Sequence, residues 1–381
     1  MAKNGFRWID SDMHLAEPGD FWADYIDPTF RDTYRQWTRS TPDFNSLLRS
    51  PGQQLGPSAA TRAQSRAATL DASSRIKESH YEDFLPYVAE DGATIEPDGQ
   101  LRAMDVEGID AAVLFPTVGG RGWREAPPDA AMAICKAYND WLHDFCSYEP
   151  RRLKLNALVP IGDADVAVAE MRRVVSKLGA VSISPGNSRV DVRMDDPQYE
   201  PVWRTAEELN VPITFHGSAQ LHLQERYRND PIFSHATGRG IEHPLAFMEL
   251  LFGGVFERHP NLRFVFLEAG CTWVVYWLFR LEEEWERFRD TVPSAAENVR
   301  MAPIDYWRRQ CWSGVEVDEW PLKAVIDLVG DDNLVVSSDF PHFDSAFPEA
   351  SERFLALPSV SEASKRKIMW DNCARLYNIA E

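Results

Sequence analysis

From about residue 101 onward the chain repeats one pattern, a short apolar run followed by an amphipathic stretch long enough for a helix. A parallel sheet with crossover helices satisfies such a repeat, because its strands are buried on both faces and its helices on one. Eight runs read as strands, at 6–12, 111–115, 153–159, 180–184, 211–216, 263–268, 310–316 and 334–338. Helical segments fall near 128–148, 164–178, 198–210, 244–258, 272–290, 320–329 and 361–377. In the first of these Ile134, Tyr138, Trp141 and Phe145 recur at spacings of three and four, which places one apolar stripe against the sheet. The alternation predicts a closed (β/α)8 barrel of the TIM type, one domain over 1–381.

Residues 16–100 interrupt the pattern between the first two strands. Pro51-Gly52, Gly56-Pro57-Ser58 and an Ala/Ser/Arg-rich run to Ser74 mark a long insertion, about 30–100, that is expected to be mobile or to cover a partner above one barrel face. Composition narrows the partners. Acidic residues number 59 against 40 basic, a formal charge of -19, which disfavours nucleic acid and anionic membrane surfaces. No apolar stretch approaches the roughly 20 residues needed to span a bilayer, and Met1-Ala2-Lys3-Asn4-Gly5 has no apolar signal region, so a soluble, cytoplasmic protein is expected. Cys135, Cys146, Cys271, Cys311 and Cys373 are widely spaced with no C-x-x-C pair, and read as buried small apolar residues in a reducing compartment.

Function is written at the strand ends. Asp12 and His14 close the first strand, His216 follows Val-Pro-Ile-Thr-Phe, Glu268 follows Arg-Phe-Val-Phe-Leu, and Asp339 with His342 follows the last strand. In a parallel barrel all strands open their carboxyl ends onto one face, so residues far apart in sequence converge there on one ion. Imidazole and carboxylate together suit Zn, Mn or Fe, and a site with open positions can activate water or bind substrate. Asp12 and His14 are two apart on an extended strand and project to the same side. Asp339 is suited both to bind metal and to take a proton from metal-bound water. A single strand-end His has an equally good structural explanation; four strand ends carrying ligand-type residues do not.

The same geometry sorts the remaining candidates. His259 precedes the sixth strand, on the opposite face, and reads as a structural residue near a helix end. His143 falls off its helix's apolar stripe and reads as a solvated surface residue, and His80 lies in the insertion without a partner pattern. His222, His235 and His243 follow His216 on the correct face. Of these, His222 is the best additional ligand and His243-Pro244 the best helix start. Glu17 either approaches the rim or caps the following helix. Arg121 and Arg124, in Gly119-Gly120-Arg121-Gly122-Trp123-Arg124 after the second strand, are candidates to clamp a substrate carboxylate, with an ordinary solvated loop as the alternative. That stretch matches neither G-x-G-x-x-G nor a P-loop.

These residues resemble the amidohydrolase-related metal enzymes that include aminocarboxymuconate-semialdehyde decarboxylase and the resorcylate-type decarboxylases. The resemblance is carried by Asp10-Ser11-Asp12-Met13-His14, Phe215-His216-Gly217, the run from Pro260 to Gly270 and Ser337-Ser338-Asp339-Phe340-Pro341-His342. It implies a (β/α)8 barrel, often oligomeric, with a divalent metal held by residues matching Asp12, His14, His216 and Asp339. Three departures stand out. The family's first-strand H-x-H is Asp12-Met13-His14 here, the His that many of its decarboxylases carry after the sixth strand is Glu268, and the fourth strand, Ala180-Val181-Ser182-Ile183-Ser184, offers no Lys for a carbamate bridge.

The carboxylate-rich set supports two chemistries. In the first, one Zn or Mn delivers hydroxide to a small, carboxylated substrate with Asp339 or Glu268 as base, giving hydrolysis or related lyase chemistry, with His342 as a further catalytic candidate. In the second, Glu268 bridges an Fe or Fe/Mn pair completed by His222 or His342, and the enzyme is a dinuclear monooxygenase. A third reading is not enzymatic, with the barrel as the structural partner of a catalytic paralogue. A homo-oligomer, or a hetero-oligomer with that paralogue, is expected.

Overall fold

A computed structural model describes residues 3–17, 22–31, 81–89, 94–117, 126–186, 192–217, 231–342 and 344–380. Eight parallel strands form one sheet in sequence order: β1 Ile9–His14, β2 Ala111–Phe115, β3 Leu153–Pro160, β4 Ser182–Gly186, β5 Ile213–Phe215, β6 Phe264–Phe266, β7 Cys311–Val315 and β8 Leu334–Val336. The barrel closes between β8 and β1 through single bonds: Ser11 Oγ donates to the Val336 carbonyl at 3.0 Å, Asp339 N to the Asp12 carbonyl at 3.1 Å and His14 N to the Phe340 carbonyl at 2.6 Å. The expected (β/α)8 barrel is therefore present. The first strand begins three residues later than the apolar pattern suggests and runs through His14, so both of its ligand-type residues lie on the strand itself.

Helices cover the outside: α1 Pro97–Glu107, α2 Pro128–Cys146, α3 Ala164–Leu178, α4 Glu200–Glu208, α5 Glu242–Phe252, α6 Thr272–Phe288, α7 Pro303–Gln310 and α8 Leu322–Val329. The stripe on α2 is buried as its spacing predicts. Asp163 caps α3 by accepting from the Asp165 and Val166 amides at 3.1 and 3.2 Å, and Gly179 ends it in the left-handed region at φ 73°. The segment expected as one helix over 244–258 is broken. Gly254, at φ 75°, separates α5 from the short helix Val255–Arg258, a conformation open to glycine and strained for other residues.

Two apolar layers result. Inside the barrel Ile9, Val113, Phe115, Val265, Leu267, Trp312 and Val335 pack together, with Trp370, Leu376 and Tyr377 of the final helical run against them. A larger layer joins the outer faces of the strands to the helices. All five cysteines are buried and free. No helix among the described residues is long and apolar enough to cross a membrane. Residues 32–80 of the insertion, His80 included, lie outside the described residues. Its described end packs Phe84 against Phe340 and Phe347, with ring centroids 5.5 and 5.8 Å apart, beside the loop that carries Asp339 and His342.

Candidate metal centre at the carboxyl ends of the strands

Four strand ends bring six side chains to one place. His14 Nε2 lies 3.0 Å from His216 Nε2, 3.4 Å from Asp12 Oδ1 and 3.3 Å from Asp339 Oδ1. His216 Nε2 is 3.1 Å from Asp12 Oδ1 and 3.5 Å from Glu268 Oε2. His342 Nδ1 is 2.9 Å from Asp339 Oδ1 and 4.0 Å from Glu268 Oε1. The six strand-end residues thus form a single cluster.

Local backbone geometry aims these groups inward. Glu268 and Asp339 adopt left-handed φ values of 61° and 54°, rare for residues other than glycine, and turn their carboxylates back over the barrel mouth. Gly217, at φ 60°, makes the corresponding turn after His216. His14 Nδ1 is 3.0 Å from the Pro116 carbonyl, which can only accept, so the proton sits on Nδ1 and the Nε2 lone pair faces the cluster. The His216 ring stacks on Phe115, with centroids 4.5 Å apart and planes at 20°.

Charge follows from this crowding. Burial alone would raise the Asp12 carboxyl, but the adjoining His216 charge outweighs it and holds the group well below the usual carboxylate range. Burial depresses His14, helped by the neighbouring His342. Burial also works against the charged form of His216, yet the carboxylates of Asp12 and then Glu268 outweigh it and set the imidazole at about 9. Asp339 is pushed well above the ordinary range, first by burial and despite the opposing pull of His14. Both Asp12 oxygens and Asp339 Oδ1 are buried and make no hydrogen bond. Buried carboxylate oxygens in that condition are suited to a cation.

Two overlapping donor groups meet the distance requirement for a metal, each with its donor atoms within 4.8 Å of one another. One is Asp12, His14 and His216; the other is His14, Glu268, Asp339 and His342. Mixed imidazole and carboxylate donors suit Zn, Mn or Fe, so the residues present fit a divalent ion. A cavity of about 620 Å³ opens onto Asp12, Glu268 and Asp339.

The other candidates separate cleanly. His243 is buried at the start of α5 and its Nε2 lies 2.6 Å from the Leu267 carbonyl, a structural bond. His259 sits on the opposite face between Glu200 and Glu207, at 2.9 and 3.0 Å. His143 is not a solvated residue: it is half-buried with Nδ1 bonded to the Leu178 carbonyl at 3.0 Å, because α3 ends beside it. Glu17 reaches the rim, where it accepts from the Thr117 amide at 3.1 Å. Arg121, Arg124, His222 and the side chain of His235 lie outside the described residues. Sequence reasoning passed over Thr117, whose hydroxyl is 3.4 Å from His342 Nε2, and Asp10, which binds the Ser338 amide at 3.1 Å. Asp10 had a signal, an acid in a strand that is otherwise apolar or ligand-bearing; Thr117 had only its place just after β2.

A parallel (β/α)8 barrel with imidazole and carboxylate donors at its strand ends is the architecture of a metal-dependent barrel enzyme. Residues 9–379 match the amidohydrolase family, and the chain belongs to that family, in the branch related to aminocarboxymuconate-semialdehyde decarboxylase. It is similar to the gamma-resorcylate decarboxylase of Rhizobium sp. (strain MTP-10005), 27% identical over 300 residues covering 74% of this chain and 87% of the relative. Among solved structures, an amidohydrolase from Mycobacterium avium subsp. paratuberculosis K-10 superposes with a TM-score of 0.71 at 23% identity, over 99% of this chain and 100% of the other. The 5-carboxyvanillate decarboxylase of Novosphingobium aromaticivorans, solved with manganese and 4-hydroxy-3-methoxy-5-nitrobenzoic acid, gives a TM-score of 0.69 at 19% identity over 98% and 96% of the two chains. The protein is accordingly a metal-dependent hydrolase or lyase, and the reading of a purely structural barrel is set aside.

Proposed function

We propose that the protein is a metal-dependent lyase that removes a carboxyl group from a small, carboxylated aromatic substrate, with the ion held by Asp12, His14, His216 and Asp339. The observation that carries this reading is the convergence of His14 Nε2, His216 Nε2, Asp12 Oδ1 and Asp339 Oδ1, whose successive separations are 3.0 to 3.4 Å. Decarboxylation is preferred to hydrolysis because the 27% identical relative is a decarboxylase. A bound divalent ion would supply positive charge to orient substrate oxygens and stabilise developing negative charge. When the carboxyl group leaves as carbon dioxide, the carbon it leaves takes up a proton. His342, with Nδ1 2.9 Å from Asp339 Oδ1 and Nε2 facing Thr117, is placed to hold that proton, and Glu268 Oε1 lies 4.0 Å from Nδ1. The test is carbon dioxide release from a panel of hydroxylated benzoates by metal-loaded protein. Turnover that disappears with chelator and returns with Zn or Mn supports the reading, and no release from any panel member under metal-loaded conditions overturns it.

One observation favours a second reading. The two oxygens of Glu268 face different imidazoles, Oε2 toward His216 and Oε1 toward His342, and His14 belongs to both donor groups. A carboxylate so placed suits a bridge between two ions, and a Fe or Fe/Mn pair there would make the enzyme an oxygenase. Two redox metals per chain and activity lost under anaerobic conditions would select this reading over the first.

A further inference from the structure

Consecutive residues at the end of β2 each touch a different imidazole of the centre. The Phe115 ring stacks on His216 with centroids 4.5 Å apart, the Pro116 carbonyl lies 3.0 Å from His14 Nδ1, and the Thr117 hydroxyl lies 3.4 Å from His342 Nε2. The first two contacts serve proposed ligands, giving one a face to rest on and the other a fixed tautomer. The third falls on an imidazole outside the proposed ligand set. The segment is tied to the end of β1, since the Leu15 amide donates to the Phe115 carbonyl at 3.2 Å and the Thr117 amide to Glu17 Oε1 at 3.1 Å. Glu17 is 3% exposed, so this anchor meets little competition from water.

An imidazole turns about its outer side-chain torsion in broad, roughly two-fold wells, and a half-turn puts carbon where nitrogen was. The face of His14 limits the tilt of His342, with ring centroids 3.8 Å apart and planes at 34°, yet stacking does not tell nitrogen from carbon. A hydroxyl does, because it hydrogen-bonds to the nitrogen. With Nε2 turned to Thr117, Nδ1 faces the carboxylates, 2.9 Å from Asp339 Oδ1 and 4.0 Å from Glu268 Oε1. The approach to Asp339 is close without being a hydrogen bond, since Asp339 Oδ1 makes none. Thr117 therefore supplies an orienting bond that Asp339 does not.

Resting on the lyase reading for the role of His342, we infer that Thr117, anchored by Glu17, is a positioning residue whose hydroxyl holds the His342 ring with Nδ1 toward the centre. When carbon dioxide departs, the electron pair left on carbon takes the proton from Nδ1, and the proton remaining at Nε2 is accepted by the Thr117 oxygen. A ring released from Thr117 is misaligned for that transfer, which slows the step without weakening the hold on substrate or ion.

Two variants separate orientation from packing: Thr117→Val keeps the shape and removes the hydroxyl, whereas Thr117→Ser keeps the hydroxyl. In metal-free protein labelled with nitrogen-15 at histidine, the His342 Nε2 resonance is expected to shift in Thr117→Val and to return in Thr117→Ser, while the His216 resonances stay in place. An unmoved His342 signal overturns the inference. In metal-loaded protein, carbon dioxide release should show kcat roughly 10–100-fold lower in Thr117→Val, the range usual for a group that orients another, with KM and metal content unchanged and most of the rate restored in Thr117→Ser. A kcat equal to that of the wild type overturns the inference, and so does an equal loss in both variants, which would assign the effect to packing. Loss of metal in Thr117→Val overturns it too, by making His342 a ligand. If the wild type releases no carbon dioxide the lyase reading fails, and the nitrogen resonance alone decides whether Thr117 orients the ring.

Discussion

The Nε2 atoms of His14 and His216 face one another at 3.0 Å across 202 residues of sequence. Because the Pro116 carbonyl fixes the His14 proton on Nδ1, two imidazole nitrogens at this distance need a proton or a cation between them. Deleting one should therefore abolish the centre. In His216→Ala the metal content of gel-filtered protein is expected to fall further than the roughly 10–100-fold affinity loss typical of an outer-shell partner. Elemental analysis checks this, with circular dichroism confirming the fold, and unchanged content would contradict the assignment.

Metal uptake should also depend on pH in a defined direction. Burial opposes charge on His216, but Asp12 and then Glu268 hold its imidazole at about 9, so near neutral pH the metal-free site carries a proton that an ion must displace. Apparent affinity is expected to rise about tenfold per pH unit between pH 6 and 8 and to level off above about 9. Calorimetry in buffers of different ionisation enthalpy should register at least one proton released per ion at pH 7, since the raised Asp339 carboxyl adds to the His216 proton. No buffer dependence would show that His216 is already neutral.

Glu268 is where the chemistry divides. Glu268→Gln keeps the shape and removes the charge. If the carboxylate bridges two ions, about half the metal should be lost; if it acts on a proton alone, metal content should stay unchanged while kcat falls roughly 10²–10⁴-fold, the usual contribution of a general acid or base. Full metal content with full activity would exclude both roles.

Much of this centre was legible in the sequence because a barrel converts position along the chain into position on a face. Asp12, His14, His216, Glu268, Asp339 and His342 could be grouped without coordinates, since each closes or follows its strand, and His259 could be removed because it precedes one. What escaped depended on backbone partners. Nothing in the sequence announces that the Pro116 carbonyl sets the His14 tautomer, or that the Leu178 carbonyl takes up His143. Helix continuity over 244–258 failed for a related reason, as the apolar spacing persists through Gly253-Gly254 while the backbone does not.

Asp10 should prove a stability determinant of the centre. It is fully buried, and its Oδ1 accepts from the Ser338 and Asp12 amides at 3.1 Å each, joining the start of the β8 loop to β1 just below the ligands. Asp10→Ala leaves two buried amides without acceptors and should cost about 2–6 kcal/mol, at roughly 1–3 kcal/mol for each. Burial, working against hydrogen bonds from Ser338, raises the Asp10 carboxyl to about 8, whereas in the unfolded chain it titrates near 3.8. The folded protein therefore keeps a proton that the unfolded chain releases, so this group's contribution is greatest below about pH 4 and is lost as pH rises toward 8. Asp10→Asn cannot titrate. Urea unfolding of metal-free protein from pH 5 to 8 should show the wild type losing stability relative to Asp10→Asn as pH rises, and a constant difference across that range would mean that Asp10 is ionised in the folded barrel throughout.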